Sequence, residues 1–481
     1  MKLCFSTLGC TDYSLDEVLA LAKGYRIGAV EIRGLGGQMD NAKIDALSEE
    51  NTEQTVRRLK EAGVCPAVLG TSVSFHKKGG LDDALAEGIN ALKIAERVGF
   101  MGVRVFGNVI EGDEGECVER VIDGLRRLCD YAMQTNVYIL LETHGEFNTG
   151  SRIGAIVDAL GEHPRFGLLW DICHTRNTFA SQKDFYDRFA PYIKHVHIKD
   201  IKGDALCAIG DGDLPITEII DMMEKGGYDG YFSLEWEQKW HPELAPLESA
   251  LTDFVRLIRG EKIKQVIFDM DGTLVDSLCF WGYLWSEIGR KYKNDASFLP
   301  APEADAAVRT MLYDESMRYI HDLYFNEVDR QEFLDYTESF LPDFYKNVAT
   351  IKPGARELIA YLKREGIGVR LATATSRRYI QGALVAVGLE GEFDHIVSCS
   401  EIGFGKERPD VFFKAIEGLG VSVYESLVVE DSATALKSAR DAGFNTVGVF
   451  DTYAPLPDKV KEYSKIYLGE GHTLAELIGK I

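Results

Sequence analysis

Two sets of residues have the types and spacing of reacting groups. In the second half of the chain, the apolar run Gln265-Val266-Ile267-Phe268 delivers two aspartates, Asp269 and Asp271, into a turn made by Gly272 and Thr273. Alternate residues of an extended strand share a side, so these two face the same way, which suits a nucleophile and an acid/base working on one phosphoryl group. In the first half, four β-rich segments end in acids and imidazoles. They read Leu140-Leu141-Glu142-Thr143-His144, Leu169-Trp170-Asp171-Ile172-Cys173-His174, His195-Val196-His197-Ile198-Lys199-Asp200 and Leu234-Glu235-Trp236-Glu237. Brought to one place, Glu142, Asp171, His197 and Glu235 would repel one another severely without a cation. Together they form an O/N ligand set for Mn²⁺, Mg²⁺, Co²⁺ or Zn²⁺.

What could bring them together is a run of alternating elements. Segments 3–7, 29–33, 65–70, 102–106, 137–143, 166–172, 193–199 and 231–237 read as strands, with helical periodicity between them in stretches such as 14–24, 51–62, 81–98, 116–135 and 216–225. Such alternation implies parallel strands joined by crossover helices, and eight units in about 260 residues is the size of a (β/α)₈ barrel. The C-terminal ends of barrel strands carry chemistry, which puts the four candidate ligands at one mouth. After the short polar stretch 260–264 a second alternation begins, with strand-like segments at 369–375, 394–399, 427–430 and 446–450. This predicts a doubly wound α/β domain with its site at the strand ends. The expected division is residues 1–260 and 264–481.

The bulk figures agree with two full-sized cores. The chain has 481 residues, 46% hydrophobic and 27% charged, too long for one ordinary core. With 76 acidic against 53 basic residues the net charge is −23, which repels a phosphate backbone and excludes nucleic acid as a partner. The nine cysteines are scattered without a CxxC pair and read as reduced thiols. No signal-peptide pattern and no apolar run of membrane-spanning length is visible, so the expected location is the cytoplasm, away from any membrane. A homo-oligomer is compatible with all of this.

The ordered residues Glu142, Asp171-x-x-His174, His197-x-Lys199-Asp200, the loop Gly210-Asp211-Gly212-Asp213-Leu214 and Glu235 resemble the xylose-isomerase-like sugar phosphate isomerase/epimerase superfamily over essentially all of residues 1–260. The resemblance implies a divalent ion held by Glu142, Asp171, His197 and Glu235, gripping the carbonyl and neighbouring hydroxyl of a sugar. It further implies Glu142 and Glu235 as the proton-transfer pair and His174 and Lys199 as substrate-binding groups. His76 and His144 stay open between substrate contact and structure. The DNA-repair branch of the superfamily needs further ligands on the early strands. Arg104-Val105-Phe106-Gly107-Asn108 offers no histidine, and the acidic charge also disfavours that branch.

In the second half, Asp269-x-Asp271-Gly272-Thr273 is followed in order by Thr373 ending an apolar strand, Lys406 before Glu407-Arg408-Pro409-Asp410, and Glu430-Asp431 after Leu427-Val428-Val429. This set resembles the haloacid dehalogenase superfamily, β-phosphoglucomutase-like branch, with residues 276–350 in the place of its helical cap. The resemblance implies that Asp269 attacks phosphorus and that Asp271 protonates the leaving oxygen. Thr373 and Lys406 would bind phosphoryl oxygens, and Mg²⁺ would be held by Asp269, the carbonyl of Asp271, Glu430 and Asp431. Mutases of that branch carry a histidine where Trp281 stands, which turns the reading towards a phosphatase.

The sequence thus points to a bifunctional enzyme acting on small sugars and sugar phosphates. A mutase in place of the phosphatase, an inosose-type dehydratase, and a non-catalytic sugar-binding barrel remain open alternatives.

Overall fold

The computed structural model describes residues 1–309, 311 and 313–481. The chain divides into two compact units, Met1–Gly260 and Glu261–Ile481. In the first, β1 (Lys2–Ser6), β2 (Ala29–Ile32), β3 (Cys65–Ser74), β4 (Gly102–Phe106), β5 (Tyr138–Glu142), β6 (Phe166–Asp171) and β7 (Ile193–Ile198) form with a later strand a closed parallel barrel. A small hairpin, β8 (Asp200–Lys202) with β9 (Ala205–Cys207), intervenes before the last staves meet: β10 (Tyr231–Leu234) pairs with both β7 and β1. The expected α/β barrel is therefore present. β3 runs four residues beyond Gly70 because the register shifts after Gly70 and Ser74 pairs with Phe106.

Local sequence explains the outer helices. Leu81–Val98 buries Gly88, Ala91, Leu92, Ile94, Ala95 and Val98, the three-to-four spacing of one helical face. Its chain reverses at Gly99, whose φ of +93° an L side chain rarely adopts. The helix Leu15–Gly24 starts with a capping box in which Ser14 and Glu17 satisfy one another's backbone N–H groups.

Inside the barrel, polarity changes along each strand with a period of two. Cys4, Ala29, Leu140 and Leu169 pack with Ala67 and Val68 in one apolar cluster. Two residues further along the same strands stand Ser6, Glu31, Glu142 and Asp171, all buried. Residues i and i+2 share a face, so the layer above the apolar floor is built of acids and hydroxyls. That change is what creates a site.

In the second unit, β11 (Gln265–Phe268) is followed by β12 (Val275–Asp276), which pairs antiparallel with β13 (Thr350–Ile351). Between that pair lie the helices Phe280–Lys293, Pro302–Val308, Tyr313–Tyr324 and Arg330–Asn347. The chain thus leaves and re-enters the α/β body through two adjacent strands. Then come β14 (Gly368–Thr373), β15 (His395–Ser398), β16 (Ser426–Glu430), β17 (Asn445–Val449) and β18 (Ile466–Leu468). With β11 they make, among the described residues, a six-stranded sheet of order β15-β14-β11-β16-β17-β18. The central place of β11, between β14 and β16, sets Asp269 at the sheet's C-terminal edge beside the ends of both neighbours. Among the described residues no helix is long and apolar enough to cross a membrane.

Gly107, which follows β4, has no room for a side chain: a Cβ there would lie 2.1 Å from Cγ and 2.5 Å from Cβ of the fully buried Phe147. Gly107→Ala is expected to destabilise the barrel by about 1–3 kcal/mol, the usual cost of overpacking a core. Urea unfolding followed by tryptophan fluorescence checks this, and an unchanged midpoint would refute it.

Candidate active sites in the barrel and in the α/β unit

In the barrel, Glu142, Asp171, His197 and Glu235 come together at the ends of adjacent staves, with one ligand atom from each lying within 4.8 Å of the others. Each acid has one oxygen held by a fixed partner. Glu142 Oε2 accepts from Arg104 at 2.9 Å, and Asp171 Oδ1 accepts from the backbone N–H groups of Cys173 and His174 at 2.8 and 3.0 Å. Glu235 Oε2 accepts from Lys199 Nζ at 2.7 Å. The other oxygens turn towards His197 Nδ1, which is 3.3 Å from Glu235 Oε1, 3.6 Å from Glu142 Oε1 and 4.0 Å from Asp171 Oδ2.

Electrostatics at this point suit a cation. His197 Nε2 lies 2.8 Å from Glu31 Oε2. His197 Nδ1 and Asp171 Oδ2 are buried without hydrogen-bond partners among the described residues. Lys199 Nζ does approach Asp171 Oδ2 to 2.9 Å as an ion pair, but without the alignment of a hydrogen bond. Burial opposes ionisation of Glu142, yet Arg104 beside it outweighs this and holds the carboxyl at about 2. Burial likewise opposes a charge on His197, but Glu235 and Glu31 lift the ring well above the ordinary imidazole range. A divalent ion fits the unpartnered nitrogen and the inward-facing oxygens.

The neighbouring residues differ in role. Lys199 is buried and ion-paired to Asp171, Glu235 and Glu237, the last at 2.5 Å, so it offsets the charge of the acids. His174, half-buried, stands 3.5 Å from Lys199 Nζ, and its ring meets His144 edge-on at 4.5 Å. His76 is buried, and its carbonyl accepts from Arg120. Asp200 accepts from the N–H groups of Ile201, Gly210, Gly212 and Leu214, which pins the Gly210–Leu214 loop. A Cβ on Gly212 would sit 2.0 Å from the Asp200 carboxylate, so the loop closes only with glycine there.

Sequence reasoning did not pick out Glu31, Arg104, His195 or Glu237. The available signal was a lone charge inside an apolar strand, as in Val30-Glu31-Ile32 and Val103-Arg104-Val105. Such a charge is buried on both faces of a barrel stave and must find a partner inside.

In the second unit, Asp269, Glu430 and Asp431 form another buried acidic group within 4.8 Å. Lys406 Nζ bonds both Asp269 and, at 2.6 Å, Glu430. Burial pushes the Asp269 carboxyl up to about 8 against the pull of Lys406, and burial with Glu430 and Asp269 pushes Asp431 well above the ordinary carboxylate range. One lysine thus leaves the three acids under-compensated, and a divalent cation fits the deficit. Thr273 Oγ1 donates to Asp431 at 2.9 Å. Gly272, with φ +88°, lets the turn pass where a Cβ would meet the Asp431 carboxylate at 2.5 Å.

Asp271 accepts three hydroxyl bonds: from Ser277 at 2.7 Å, Thr375 at 2.6 Å and Tyr345 at 2.8 Å. Tyr345 comes from the helix Arg330–Asn347 and was not foreseen, since nothing in its local sequence marks it. Thr373 Oγ1 accepts from Thr375 N–H at 3.0 Å. Asp269, Asp271, Thr373 and Lys406 line a cavity of about 450 Å³ whose wall includes Trp281 and Phe344.

Comparison with known proteins follows the same division. The model of the xylose isomerase-like TIM barrel matches residues 19–256, and that of the haloacid dehalogenase-like hydrolase matches residues 263–443. The chain is similar to hexitol phosphatase B of Escherichia coli, 24% identical over 196 residues, covering 39% of this chain and 84% of that protein. It is also similar to a phosphorylated carbohydrates phosphatase of Thermotoga maritima, 27% identical over 191 residues, covering 38% of this chain and 84% of that protein. Among solved structures, the probable 3-DHS dehydratase AsbF from Bacillus anthracis is 19% identical with a TM-score of 0.46, covering 53% of this chain and 98% of that one. The chain therefore joins a xylose isomerase-like TIM barrel to a haloacid dehalogenase-like hydrolase.

Proposed function

We propose that the chain is a bifunctional carbohydrate enzyme. Its second unit releases phosphate from a small phosphorylated sugar or polyol, and its barrel isomerises or epimerises a sugar or sugar phosphate with a divalent metal. The observation that carries the reading is the pairing of Asp269 with Asp271 at one cavity. Among the described residues one acid has no hydroxyl partner and is set beside Lys406, and the other is held by three hydroxyls. The two similar phosphatases support a sugar or polyol phosphate as substrate.

In this reading Asp269 attacks phosphorus, and Asp271, oriented by Ser277, Thr375 and Tyr345, gives a proton to the leaving oxygen and later takes one from water. Thr373 and Lys406 hold phosphoryl oxygens. Mg²⁺ held by Asp269, Glu430, Asp431 and the Asp271 carbonyl would supply charge compensation for the transferring group. Trp281 in the cavity wall brings no proton-transfer group to the place where mutases of this branch carry a histidine, which favours hydrolysis over phosphate migration.

In the barrel, a bound divalent ion would polarise a substrate carbonyl and adjacent hydroxyl. Glu142 and Glu235 then face each other across the site as the pair that removes and returns a proton, while His174 and Lys199 bind oxygen atoms of the substrate. Free sugars and sugar phosphates are the partners this requires.

Two outcomes check the proposal. Mg²⁺-dependent phosphate release from a panel of sugar and polyol phosphates should vanish in Asp269→Asn, and phosphate that migrates on the sugar without release would show a mutase instead. Adding Mn²⁺, Co²⁺ or Zn²⁺ to chelator-treated protein should raise the thermal midpoint of the barrel, by about 2.7 kcal/mol of added stability at a hundredfold excess over Kd. Asp171→Asn should abolish most of that rise, and a rise of equal size in the variant would remove the barrel site from consideration.

A further inference from the structure

Against the cation cluster lies a second buried group that shares His197 with it and whose other members, Glu31 and His195, the proposed chemistry does not use. Glu31, His195 and His197 are all fully buried. Glu31 Oε2 lies 2.8 Å from His197 Nε2 and 3.1 Å from His195 Nε2, and Glu31 Oε1 accepts from Ser6 Oγ at 3.1 Å. The Ser6 hydroxyl and both ring nitrogens converge on its two oxygens, the surroundings of a carboxylate. A carboxylate oxygen can only accept, so both facing ring nitrogens carry protons.

The consequence falls on the opposite edge of His197. With a proton fixed at Nε2, the proton that an arriving metal displaces is the one at Nδ1, the atom that faces Glu142, Asp171 and Glu235 and has no hydrogen-bond partner among the described residues. Without Glu31, three acid oxygens on that edge would draw the single ring proton to Nδ1 and leave no lone pair there for a metal. We infer that Glu31 is a positioning residue: it holds His197 in the Nε2–H tautomer and in the orientation that makes Nδ1 a metal ligand. His195 acts as a second donor that, with Ser6, fixes the carboxylate. This rests on the reading of Glu142, Asp171, His197 and Glu235 as a cation site. A carboxylate behind a ligating histidine raises metal affinity by about 10- to 100-fold in general.

The test uses the full-length chain carrying Asp431→Asn, which disables the other acidic cluster, and measures Zn²⁺ stoichiometry and affinity by competition with a chromophoric chelator. Glu31→Gln keeps the volume and removes the charge. It should weaken Zn²⁺ binding about 10- to 100-fold, and the loss should disappear when His197 is already replaced in His197→Gln. Imidazole ¹⁵N–¹H correlation spectra of the unsubstituted chain should show the His197 proton at Nε2 when Zn²⁺ is bound, a readout that needs no variant to fold. An unchanged affinity in Glu31→Gln, an equal loss with and without His197, or a zinc-bound ring protonated at Nδ1 would overturn the inference while leaving the cation site in place. Two ions per barrel would make Glu31, His195 and His197 a metal site of their own and overturn it as well. Failure of the parent chain to bind even one ion would instead refute the cation site itself.

Discussion

Everything at the barrel mouth depends on one electrostatic constraint. Carboxylate oxygens from three strands are turned towards a single imidazole nitrogen in a place screened from water. Such an arrangement is unfavourable unless positive charge lies among the oxygens, and side chains packed around them supply part of it. Arg104 takes the outer oxygen of Glu142 and Lys199 that of Glu235, while backbone N–H groups take that of Asp171. Those partners do more than offset charge. By occupying one oxygen of each acid, they force the other inward, so the ligand geometry is in place before any ion arrives. A site built in this way avoids reorganisation on binding, which is where metal and substrate affinity is commonly lost.

The barrel fold makes this constraint affordable because its staves hold strict alternation. The layer of Cys4, Ala29, Leu140 and Leu169 is apolar and supplies packing, and the next layer up the same faces is ionic. Stability and chemistry are thereby separated by about one pleat rather than by a domain. The α/β unit solves the same problem differently. Its acids come from β11 and β16, neighbours in the sheet, and a lysine from a loop bridges two of them. The neutralising group there is a side chain that also faces the cavity, so substrate phosphate and acid compete for it.

These differences explain what was legible in the sequence. Positions at the ends of apolar runs were legible, because an acid that closes a hydrophobic strand has few other reasons to be there: Glu142, Asp171, Glu235, Asp269 and Glu430 all stand so. The elements followed from periodicity, with Gly102–Phe106 and Leu81–Val98 read to the residue, whereas three-residue strands such as Ile466–Leu468 carry too little pattern to see. Glu31 and Arg104 were passed over because their meaning lies in partners 166 and 38 residues away. Tyr345 reaches Asp271 across 74 residues of sequence from a helix whose aromatics read equally well as core. Sequence shows which residues are out of place in an apolar element. Which of them meet is decided by the register between strands.

Register also bears on how the two imidazoles of β7 divide their work. His195 and His197 share a face by alternation and meet the same oxygen of Glu31 across the barrel, yet only His197 reaches the acid cluster on its far edge. Its neighbours on either side, Asp171 of β6 and Ser233 of β10, are paired to it directly in the sheet. A shift of one residue would turn both rings outward, and a shift of two would set His195 where His197 stands and leave Glu31 facing an apolar side chain. The hydrogen bond from Ser6 to Glu31 and the pairings of β7 to its neighbours therefore fix the same quantity, the height of one nitrogen above the apolar floor.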